Sequence, residues 1–78
     1  MPTLTREIRE QLLTYDQEFQ KLAKQHEEYE DQLRQLKQAS YLNLEDLHRE
    51  ITLKKLKLHV KDAMERHIAQ RLHHRFEH

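Results

Sequence analysis

The chain has no cysteine, no glycine and no tryptophan, and its only proline is Pro2. Without cysteine there is no disulfide to hold a small fold together and no thiolate to act as nucleophile or metal ligand. Without glycine, the phosphate-cradling loops whose backbone must approach a nucleotide closely cannot be built. Glycine and proline are also the strongest helix interrupters, so their absence beyond position 2 removes most of the points at which a helix would stop. No apolar run approaches the length of a membrane span, and the amino-terminal residues lack the apolar region of a signal peptide. These absences lead to the expectation of a soluble, cytoplasmic protein with no membrane span.

What remains is a composition dominated by Leu, Glu, Lys, Gln and Arg, all good helix formers, in a chain of 78 residues of which 36% are charged. A single domain of this size has little interior. Without disulfides or metal it depends on regular helix packing or on a partner chain.

The clearest pattern lies in the first half. Ile8, Leu12, Tyr15, Phe19, Leu22, His26, Tyr29, Leu33 and Leu36 alternate at spacings of four and three. That mean repeat of 3.5 residues is the repeat of a coiled-coil seam. It predicts a first helix over residues 6–37, with Thr5 as a cap and Glu7 in its first turn. Thr14 and Gln17 also read as a capping box, which would make residues 1–13 a separate short helix or arm. The continuous helix is preferred, because Ile8 and Leu12 stay in phase with the later seam.

The seam ends at Leu36, and the small-polar cluster that follows places a turn at 38–43. Asn43 is suited to cap a second helix over 44–74, with Glu45 and Asp46 favoring its positive end. Two arms of nearly equal length joined by a short link predict one all-α unit over residues 1–78, an antiparallel two-helix hairpin with coiled-coil packing. Charge agrees. Seven acids stand against Lys21 and Lys24 between residues 10 and 31, a net of −5, whereas residues 51–75 carry a net of +5. Exposed ion pairs add only about 0–1 kcal/mol each, so their expected effect is on orientation and register.

Helix two carries two apolar stripes. Leu44, Leu47, Ile51 and Leu58 share one face at about 100° per residue, and Leu53, Leu56, Val60 and Met64 fall near the opposite one. One hairpin partner covers one face, and a helix apolar on both sides is normally buried on both. The expected assignment packs Leu44, Leu47, Ile51 and Leu58 against helix one. It leaves Leu53, Leu56, Val60 and Met64 as an intermolecular contact in a homo-oligomer, a dimer or tetramer, or with another protein.

Chemistry-bearing constellations are sparse. Seven histidines are present, but His74 and His78, the one pair at helical spacing, sit at the end of the chain and fall short of the three or four ligands of a zinc site. No metal or cofactor is expected. His26 occupies a seam position where leucine is the rule. It reads as a polar residue hydrogen-bonded across the hairpin to set register, or alternatively as a pH-sensitive element. Tyr15, Phe19 and Tyr29 lie on the seam, which favors core packing over base stacking. No nucleophile, base and oxyanion donor can be named together, so no enzyme activity is expected. Lys54, Lys55, Lys57 and Lys61 form a basic stretch that supports an alternative reading as a polyanion contact of a small nucleic-acid-binding protein.

The segment from His26 to Leu33, the turn, and Leu53, Lys54, Lys55, Lys57, Leu58, Lys61 and Asp62 together resemble the YdcH-like family of small bacterial helical-hairpin proteins. The likeness spans residues 19–64, and Leu56 departs from it where an acidic residue is usual. It implies a long helical hairpin in the bacterial cytoplasm and no established activity. The combined expectation is a non-catalytic helical interaction or assembly module.

Overall fold

The computed structural model describes residues 2–38 and 43–76, with side chains of residues 2, 3, 75 and 76 excepted. The described residues are helical almost throughout. They form α1 (Pro2–Tyr15), α2 (Gln17–Lys37) and α3 (Leu44–Phe76), so the protein is all-α with three helices rather than two. The longest dimension, 54 Å, is close to the length of α3 alone at about 1.5 Å per residue.

The expected first helix starts earlier and is broken. Proline is tolerated in a first helical turn, where its missing N–H would be unpaired anyway, so α1 starts at Pro2. The break falls at Asp16, two residues after the Thr14 of the alternative capping box. Asp16 has extended backbone angles, φ −107° and ψ 110°, and its side chain accepts the Phe19 N–H at 2.9 Å. Thr14 instead donates its hydroxyl back to the Glu10 carbonyl at 2.9 Å, an arrangement that bends helices. The Gln20 amide donates to the carbonyls of Leu13 and Thr14 at 2.8 and 3.1 Å, satisfying the end of α1. Both helix ends at the break are thus satisfied locally. The residue displaced is Tyr15, an expected seam member that is 84% exposed.

The remaining seam residues face inward. Ile8, Leu12, Phe19 and Leu33 are buried, and Leu22, His26, Tyr29 and Leu36 are half-buried. Ile8, Leu12, Phe19 and Ile68 form the hydrophobic core, with Leu4, Met64 and Leu72 packed against it. The core therefore lies where α1 and the start of α2 meet the carboxy-terminal half of α3. The Phe19 ring meets His67 edge-on, with centroids 6.2 Å apart.

The expected turn at 38–43 falls largely outside the described residues. Its end matches expectation: the Asn43 side chain accepts the Asp46 N–H at 2.8 Å and caps α3. That helix runs two residues past the expected end, to Phe76. No described helix is long and apolar enough to cross a membrane.

Candidate interaction surface on α3

The face of α3 turned toward α2 is a second four-three seam: Asp46, Glu50, Leu53, Lys57, Val60, Met64 and His67. Each of these is buried or half-buried. Four of the seven are polar, which hides the seam from a reading of apolar residues alone. Glu50 pairs with Lys54 on the same helix at 3.2 Å, and His67 lies 3.8 Å from Glu18 of α2. Lys57 is half-buried at its seam position, a burial that long cationic side chains reach through their aliphatic stems.

This arrangement reverses the expected assignment of faces. Leu53 and Val60, expected in an intermolecular contact, are 5% and 7% exposed inside the chain itself. Met64 packs against the core, and Leu56 is 40% exposed and lies apart from the other three. Leu44, Leu47, Ile51 and Leu58, expected against helix one, are instead 84%, 44%, 54% and 58% exposed. The physical reason is continuity. The stripe through Leu53, Val60 and Met64 leads into Ile68 and Leu72, which close the core with α1. The stripe through Leu44 and Leu58 leads into Lys61 and Glu65, which cannot cover Phe19.

The outer stripe occupies an arc of about 60° at 100° per residue. Its spacings of three, four and seven are those of a heptad seam, interrupted by Lys54. Charge is graded along α3. Residues 45–50 hold Glu45, Asp46 and Glu50 against Arg49, whereas residues 54–61 hold Lys54, Lys55, Lys57 and Lys61 and no acid.

The lysines of the expected polyanion contact do not share one face. Lys54 and Lys57 line an open groove of about 230 Å³ with Glu30, Leu33, Arg34 and Lys37 of α2. Lys55 and Lys61 are exposed outside that lining. Within the groove's surroundings Arg34 is paired with Asp31 at 3.0 Å. Arg34 and Lys37 are cations that a reading of helix two alone misses.

His26 is half-buried and its Nδ1 lies 2.9 Å from Glu30 Oε1, four residues along the same helix. Its partner is therefore on α2 and not across the hairpin. Among the described residues no three His, Asp or Glu side chains converge as metal ligands would. The larger grooves, about 340 Å³, are open and lie beside α1 and the end of α3, where Gln11 and Arg71 line them.

No family model, curated protein or solved structure matches the chain. The likeness to the YdcH-like family thus rests on the residues quoted for it.

Proposed function

We propose that the protein is a non-catalytic helical interaction module that docks through the outer stripe of α3. The observation that carries this reading is the exposure of Leu44, Leu47, Ile51 and Leu58 in a heptad register on a helix whose opposite face is already packed. Single exposed aliphatic residues need no explanation, but four in one register make the kind of patch that marks a contact site. Burying a whole aliphatic side chain contributes about 1.5–3 kcal/mol, so covering this stripe supplies a substantial driving force. A photo-crosslinking residue at Leu47, introduced in cells that make the protein, tests this reading. Discrete cross-linked species that disappear when Ile51 and Leu58 are both changed to glutamine support docking through the stripe. Uncross-linked protein throughout refutes it.

A second reading is favored by the groove between α2 and α3, where Arg34 and Lys37 join Lys54 and Lys57. On this reading a polyanion such as nucleic acid would contact these four cations, two of which are paired with Asp31 and Glu50, past the Glu30 that also lines the groove. Fluorescence anisotropy with a labelled oligonucleotide checks it: phosphate contacts weaken steeply as salt rises, and affinity that does not respond to salt excludes them.

A further inference from the structure

We infer that the occupant of the outer stripe is a second copy of this chain. The two α3 helices lie antiparallel, and the two-fold axis passes beside Ile51. The inference rests on the reading of that stripe as a docking face. Three features of α3 select this partner and this orientation.

The first is apolar self-complementarity. Leu44 and Leu58 lie seven residues on either side of Ile51. A two-fold axis at Ile51 sets each Leu44 opposite the other copy's Leu58 and each Ile51 opposite its counterpart. The second is charge. The same axis lays the exposed Glu45 of one α3 on the flank that carries the exposed Lys55 of the other, twice over, while Asp46, Glu50 and Lys57 stay turned toward α2. Opposed potentials of this kind fix orientation and register. A parallel pair would stack lysine on lysine. The third is space. Beyond Leu58 the outer stripe gives way to Lys61 and Glu65, and the carboxy-terminal part of α3 is occupied by α1, whose Ile8 and Leu12 pack with Ile68 and Leu72. A parallel second α3 would run into α1, whereas an antiparallel one leaves past the amino-terminal end of α3.

The area is sufficient. The exposed fractions of the four side chains exceed two whole aliphatic residues, roughly 300 Å² of apolar surface per copy on the scale of side-chain burial. Two copies with their polar rims bring the total to about 1,000 Å², the lower bound for a specific interface.

The test combines solution mass with directed disulfides in the full chain, which has no cysteine of its own. Sedimentation equilibrium of the wild type is expected to give a dimer below about 200 µM. Ile51→Glu is expected to raise the dissociation constant at least about 100-fold with far-UV circular dichroism unchanged. On oxidation, Leu44→Cys mixed with Leu58→Cys is expected to give the mixed disulfide ahead of either homodimer, because a disulfide needs Cβ atoms about 3.5–4.5 Å apart. A monomeric wild type overturns the inference and leaves the docking face to another protein, which cross-linking at Leu47 would still report. Homodimers of Leu44→Cys overturn the antiparallel arrangement. A dimer indifferent to Ile51→Glu overturns the inference and the docking face together.

Discussion

Phe19 is fully buried three residues after a break in the helix, and the Asp16 cap is what holds it there. Replacing Asp16 with alanine leaves the Phe19 N–H without its acceptor and is expected to cost about 1 kcal/mol in urea unfolding, the usual size of a lost amino-terminal cap. Phe19→Ala empties the center of the core and is expected to cost about 3–5 kcal/mol. In a chain this small that loss is large enough to leave most molecules unfolded, which near-zero cooperative signal in thermal melting would report. The burial of Phe19 is legible from its place in the seam. The exposure of Tyr15 is not, because a four-three count carries no information about a local break. The signal that could have located the break is Asp16 itself, a short acceptor three residues before Phe19.

Helix α3 carries two stripes of comparable apolarity, and propensity does not choose between them. The inward stripe is decided by what lies beyond it, since only that one connects to Ile68 and Leu72. A pair of substitutions checks the assignment at concentrations below association. Leu53→Ala is expected to destabilize the chain by about 2–5 kcal/mol, and Leu58→Ala by about 0.5 kcal/mol or less. Equal losses, or the reverse order, would restore the expected faces. Helix α1 has only 14 residues, a length that is marginal for an isolated helix, and its buried contacts are Ile8 and Leu12. Its amides are therefore expected to exchange with deuterium faster than those in the middle of α2 and α3, a difference that hydrogen-exchange mass spectrometry resolves by peptide.

At the scale of the whole molecule, the shape is a rod 54 Å long with its core toward one end. The hairpin's other half is held by Leu33, Leu53 and half-buried polar groups, and this is the half that carries the outer stripe. Ile51 lies nine residues from the middle of α3. Antiparallel dimerization there displaces the two rods by about 27 Å at 1.5 Å per residue. The dimer is then expected to reach a maximum dimension of about 80 Å in small-angle X-ray scattering, from that rise and the 54 Å rod. A side-by-side parallel dimer would stay close to the length of one rod.

The sequence by itself determined the all-helical class, the inward set of α2 and the start of α3. Each depends on interactions within a few residues: helix propensity without glycine, heptad spacing, and the Asn43 cap. Tertiary structure alone decided the packing of α1 against Ile68 and Leu72 and which stripe of α3 faces α2. Those depend on contacts between residues some fifty positions apart in a chain where both faces of α3 satisfy the same local rules. Continuity of the core, which no single helix contains, selected the stripe that could cover Phe19.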